Sequence, residues 1–135
     1  MANALYGLGR EKFLDGSIAI LTDNIKCVLV DTATYTVSID VDEFLDDIPV
    51  GERVATSGNM GTKTATLGVF DAADITFSAV SGDVSEALVI YKDTGVASTS
   101  PLIAYIDTAT GLPVTPNGGD ITVTWDSGAN KIFKL

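Results

Sequence analysis

The chain has 135 residues, nearly half of them apolar, and eighteen acidic against eight basic side chains, for a net charge of −10. That length fits one domain with a hydrophobic core of its own. The charge argues against binding a nucleic-acid backbone, which needs clustered Lys or Arg, and no apolar segment reaches the length of a membrane span.

The sequence contains no histidine, which excludes Ser-His-Asp and Cys-His nucleophilic machinery and the common zinc sites. Cys27 is the only cysteine, so no intrachain disulfide forms, and it is expected to pack as a small hydrophobe. No secretory signal opens the chain, so synthesis and folding in a cytoplasm are expected. No catalytic, cofactor-binding or metal-ligating residues are assigned, and an enzyme is not expected.

Residues 1–16 differ from the rest. Good helix formers end this segment, Gly16 stands where a C-terminal cap falls, and Leu5, Tyr6, Leu8, Phe13 and Leu14 form a candidate stripe. Gly7 and Gly9 interrupt it at a cost of about 1 kcal/mol each relative to Ala. A short helix covering one end of a β core is expected, with those five apolar residues as the candidate protein interface. The competing expectation is that the helix only plugs its own core.

Residues 25–135 read as the β core. Ile25–Val30 is an apolar strand ending at Asp31-Thr32, and the same Asp-Thr ending closes two later runs at Asp93 and Asp107. Asp accepting backbone N–H groups where a strand stops explains the recurrence. Tyr35–Ile39 alternates as a short edge strand would. Asp42 to Pro49 reads as a helical turn near 42–48, capped by Asp42 and stopped by Pro49. Asp40, Asp42, Glu43, Asp46 and Asp47 form the densest acidic cluster, but without EF-hand spacing they read as a solvated face.

Further strands are expected at about 53–57, 63–67 with 69–70, 75–80, 121–126 and 131–135. The most informative stretch is Ala87–Asp107. Two apolar, β-branched runs, Ala87–Tyr91 and Leu102–Ile106, flank a polar turn-forming loop. Continuous apolarity places this hairpin in the middle of a sheet, covered on both faces. Trp125 is expected to share one core with both runs. The fold class that follows is mainly β, an antiparallel sandwich or jelly roll with a short N-terminal helix, in a single domain spanning 1–135.

Ile25–Thr32 followed by Phe44–Pro49 resembles the front half of small virion structural proteins of tailed bacteriophages. Gly68–Ala72, Glu86–Gly95, Leu102–Trp125 and Ile132–Leu135 resemble their back half. Members of that family often carry a His shortly before the Phe-Leu pair, where this chain has Asp42-Glu43. The resemblance implies a particle component located in the virion and made in the host cytoplasm. Its expected partners are the major capsid protein or other virion proteins, and it is expected to form a homo-oligomer, a trimer among the options. It implies no nucleic-acid or membrane partner. Capsid decoration is the first place it suggests. A neck or tail component is the alternative, with a fibre-tip module that binds a host glycan as one form of it.

Overall fold

The computed structural model describes residues 3–135. In chain order its elements are β1 (Ala4–Leu5), α1 (Gly7–Leu14), β2 (Ile25–Val30), β3 (Arg53–Thr56), β4 (Val69–Phe70), β5 (Ile75–Phe77), β6 (Ala87–Lys92), β7 (Leu102–Ile106), β8 (Ile121–Val123) and β9 (Phe133–Lys134). Single 3-10 turns lie between several of them. One five-stranded antiparallel sheet runs β1-β7-β6-β2-β3, and two antiparallel ribbons, β4–β9 and β5–β8, complete the fold. It is therefore mainly β with one short N-terminal helix, as read from the sequence.

β6 is the middle strand, paired with β2 over its full length on one side and with β7 on the other. The pleat sends alternate side chains to opposite faces, so the apolar runs divide between two cores. Ile25, Cys27, Leu29, Leu88 and Ile90 pack on one face. Val28, Val30, Ala87, Val89 and Tyr91 pack on the other. A bulge pairs Ile90 with Ala104 but Tyr91 with Leu102, leaving Ile103 as an extra residue. Ile103 and Ala104 therefore both join the first core, while Leu102 and Tyr105 join the second. The single shared core expected from the sequence is thus two cores, with Trp125 only half-buried against the first.

The two faces are covered by different means. Over the first lie the ribbons, with Phe70, Ile75 and Phe77 buried, together with Ile18, Met60 and Val80. Over the second lies the chain from Tyr35 to Ile48, with Tyr35, Leu45 and Ile48 buried around Tyr6. Fully burying side chains of this size contributes about 1.5–3 kcal/mol each, before ordering costs.

Several expected elements take another form. Tyr35–Ile39 is not a strand. The Val41 and Asp42 N–H groups donate to Ser38 O at 2.9 and 2.8 Å, and the Asp42 carboxylate takes the Ser38 N–H, which closes a turn. Residues 63–67 give one bridge, Thr64 to Asp71, because Thr62 and Leu67 have φ of 52° and 55°, outside the strand region. β5 stops at Phe77 because Ala79 turns left-handed, at φ 48°, and its N–H donates to Asp120. β8 ends at Val123, and the Trp125 N–H donates to Asp74 instead of a ladder. The helical turn near 42–48 is a 3-10 turn at Leu45–Asp47. Asp47 caps it in place of Asp42, taking the Glu43 and Phe44 N–H groups at 2.7 and 3.0 Å. Of the expected helical segment 1–16, residues 7–14 are helix, and Met1 and Ala2 lie outside the described residues.

Candidate functional site

The five candidate interface residues occupy different environments. Tyr6 is fully buried in the second core. Leu5 and Phe13 are half-buried against the first, where the Phe13 ring centroid lies 6.3 Å from that of Phe133. Leu8 is half-buried, and Leu14 is 89% exposed. The segment is pinned at its entrance, where the Tyr6 N–H donates to Ile103 O and the Gly7 N–H to Ile39 O, both at 2.9 Å. Gly9 lies against the β7 backbone so closely that a Cβ there would sit 2.3 Å from Leu102 O. The Lys12 ammonium pairs with Glu43 at 2.8 Å and lies 5.1 Å above the Phe44 ring.

A chain of hydroxyls links this segment to the loop over the second core. The Tyr35 hydroxyl donates to Asp42 Oδ2 at 2.7 Å, so the contact between the two tyrosine hydroxyls, at 3.2 Å, has Tyr6 as donor. Burial pushes both tyrosines well above their ordinary range, so they stay neutral and act as hydrogen-bonding groups. Burial likewise raises the Cys27 thiol, which sits among apolar neighbours with its Sγ 3.7 Å from the Met60 sulfur.

The acidic cluster is divided among separate local partners. Asp40 lies 3.9 Å from Arg10, Asp42 serves Tyr35 and Ser38, Glu43 serves Lys12, and Asp47 caps the 3-10 turn. Among the described residues no group of three or more Asp, Glu, Cys or His side chains could hold a metal ion. Most of the basic side chains are also engaged. Lys26 pairs with Asp93 at 2.8 Å and Lys92 with Asp23 at 3.1 Å, while Arg53 and Lys63 donate to the carbonyls of Ile48 and Asp23. Glu11, Asp46, Asp83 and Asp126 are exposed, so the surface presented outward is predominantly acidic.

Two surface features remain. Large apolar side chains stand in solvent at Leu14, Val41, Val50 and Leu67, the last 92% exposed and on a left-handed backbone. A cleft of about 630 Å3 opens between the central sheet and β8, with Trp125 on its wall. The Trp125 indole N–H donates to Ala73 O at 3.1 Å, which fixes the ring. The sequence carried little signal for this cleft. The Pro- and Gly-rich turn at 112–120 marks a long excursion, but only the folded chain sets its distance from the sheet.

The loop between β6 and β7 is ordered by its own hydroxyls. Ser100 is fully buried, and its Oγ takes the Thr94 N–H at 3.1 Å and donates to Val96 O at 2.8 Å. The chain matches no protein-family model and no curated protein sequence.

Proposed function

We propose that this chain is a structural subunit of a tailed-bacteriophage virion, and within the particle a capsid decoration protein bound to the outer capsid surface. The observation that carries the reading is the contrast between the central sheet and the surface. Both faces of the sheet are covered, yet Leu14, Val41, Val50 and Leu67 still stand largely exposed. Apolar side chains left in solvent gain when a partner covers them. The sequence resemblance to small virion proteins, which spans almost the whole chain, supplies the partner class: the major capsid protein and further copies of this chain. No catalytic role is assigned.

The deciding experiment is quantitative mass spectrometry of purified particles. Decoration of the capsid surface requires copies in the hundreds, following the symmetry of the shell, whereas one ring's worth places the chain in the neck or tail. Absence from the particle overturns the reading. The neck or fibre-tip alternative draws on Trp125, which borders the cleft together with Thr122 and Thr124, an aromatic side chain being suited to a sugar face. Leu14→Ser and Leu67→Ser test attachment better than deletion of 1–9, which would also remove buried Tyr6.

A further inference from the structure

The chain has five asparagines, and only Asn117 precedes a glycine; the other four precede Ala4, Ile25, Met60 and Lys131. An asparagine followed by glycine cyclises readily, because no side chain on the second residue obstructs the ring and its backbone turns freely. The Gly118 nitrogen attacks Asn117 Cγ, and the bond from Cγ to the side-chain nitrogen breaks. That nitrogen leaves as ammonia with the Gly118 amide proton, and a succinimide ring remains. Water opens the ring at either carbonyl, giving aspartate or isoaspartate, with nothing oxidised or reduced. Water is the only co-reactant, and residues 117–120 are exposed to it.

Two features of the fold act on this pair in opposite directions. The Gly119 N–H donates to Asn117 Oδ1 at 2.9 Å, which polarises the carbonyl under attack and stands where negative charge develops. The nucleophile, however, is engaged. The Gly118 N–H donates to Val80 O at 2.7 Å, and the Val80 N–H donates to Gly119 O at 2.9 Å. These bonds carry the β5–β8 ribbon beyond its last pair, Phe77 with Ile121. Between them left-handed Ala79 is held by its N–H, which donates to Asp120 Oδ1 at 2.9 Å. An amide whose proton is aimed at Val80 O presents its nitrogen to Cγ only after this end of the ribbon opens. Asp15-Gly16 has similar local geometry, with Asp15 Oδ1 taking the Ser17 N–H at 2.8 Å. Its bonds to Ser17 hold that carboxyl below the usual carboxylate range, and an ionised carboxylate is a poor electrophile.

We propose that Asn117-Gly118 is a site of spontaneous deamidation gated by the pairing of residues 118 and 119 with Val80. The site is shielded while that end of the ribbon is closed and reacts when it opens. The change is one-way. Isoaspartate inserts a methylene into the backbone between residues 117 and 118, so Gly118 and Gly119 lose their register with Val80. Either product adds negative charge to a chain already at −10. The chemistry needs no partner and is independent of the function proposed above.

The test incubates the intact protein at neutral pH beside a blocked peptide of residues 113–121. Peptide mapping follows the mass gain of an amide turned into a carboxylate, and enzymatic isoaspartyl methylation reads the isoaspartate. Asn117 is expected to react before the other four asparagines. Its rate should lie at least about tenfold below that of the free peptide, because two hydrogen bonds open first. In urea, where the ribbon is unfolded, protein and peptide should react alike. Asp120→Ala removes the acceptor that holds Ala79 and should raise the rate several-fold, measured against a peptide with the same substitution. Asp120→Asn, which keeps an acceptor oxygen, should raise it less. A folded parent that reacts as fast as the peptide, or another asparagine that reacts first, overturns the proposal. So does an Asp120→Ala protein that is folded by circular dichroism yet reacts no faster than the parent. If Asp120→Ala does not fold, the ratio of the parent's rates with and without urea decides.

Discussion

Replacing Gly9 with alanine sets two physical effects against each other. In an isolated helix alanine is the better residue by about 1 kcal/mol, and α1 is short, with Gly7 and Gly9 both within it. Packing runs the other way. A Cβ at residue 9 would stand 2.3 Å from Leu102 O and 3.3 Å from Ile103 Cα, both backbone atoms of β7 that cannot rotate aside. Relief requires the helix to retreat by about 1 Å, a shift that degrades the bonds from Tyr6 N–H to Ile103 O and from Gly7 N–H to Ile39 O. Overpacking of this kind costs about 1–3 kcal/mol, and each weakened hydrogen bond about 1 kcal/mol. Set against the propensity gain, Gly9→Ala should destabilise by about 1–3 kcal/mol, a fall of roughly 3–10 °C in Tm at this chain length.

Two controls bracket it. At Gly7 the nearest atom to a new Cβ is Asp40 Oδ1, at 2.3 Å, the end of an exposed side chain that can swing away. At Gly51 nothing lies within 4 Å. Gly7→Ala should therefore cost less than Gly9→Ala, and Gly51→Ala should be neutral or gain up to about 1 kcal/mol. Thermal and urea unfolding of the three variants checks the order. A Gly9→Ala protein as stable as the parent would refute the close approach of α1 to β7.

Three further outcomes are expected. Ile48→Val and Phe77→Leu lie in different cores on opposite faces of the sheet. Each should cost about 0.5–1.5 kcal/mol, and urea unfolding of the double variant should give their sum within about 0.5 kcal/mol; a larger coupling would mean one continuous core. Ser100→Ala strips a buried hydroxyl from the Thr94 N–H and Val96 O and should cost about 1–3 kcal/mol in the same assay, whereas exposed Ser98→Ala should stay within about 0.5 kcal/mol.

The last concerns acid. The bond with Lys26 and the Gly95 N–H hold Asp93 below the usual carboxylate range; at Asp23, burial works upward but is outweighed by the Ala19 N–H and Lys92. A carboxylate whose folded pKa is depressed contributes stability that is present above its unfolded pKa and lost as pH falls through the folded one. Stability should therefore be level near neutrality and drop below about pH 4, with a smaller drop in Asp93→Asn. An unchanged acid limb in that variant would refute the assignment.

Ile25–Val30, Ala87–Lys92 and Leu102–Ile106 were legible as strands because their apolar, β-branched runs act locally and are too short for buried helices. Their place in the middle of a sheet followed from apolarity on both pleat faces. Two of the Asp endings were legible for a similar reason. Asp31 and Asp93 each take the N–H two residues on, at 2.8 and 2.9 Å, which is chemistry contained within three residues. At Asp107 the same motif is met from outside, since Asn3 Oδ1 takes the Asp107 and Thr108 N–H groups.

What only the tertiary structure decided involves residues far apart in the chain. Gly9 reads in the sequence as a flaw in a helix, but it is the contact point with β7, because the missing Cβ matters only once residue 102 is beside it. Tyr6 reads as one member of an apolar stripe with Leu14, yet one is fully buried and the other almost fully exposed. The loop that covers Tyr6 comes from residues 35–48, and no periodicity within 1–16 encodes it. Assigning Leu88 to one core and Val89 to the other needs only the pleat, but placing Ile103 beside Ala104 needs the bulge, which belongs to the pairing with β6 rather than to either strand. The cleft beside β8 belongs to this second class, for a spacing between layers is set by everything packed between them and by no single segment.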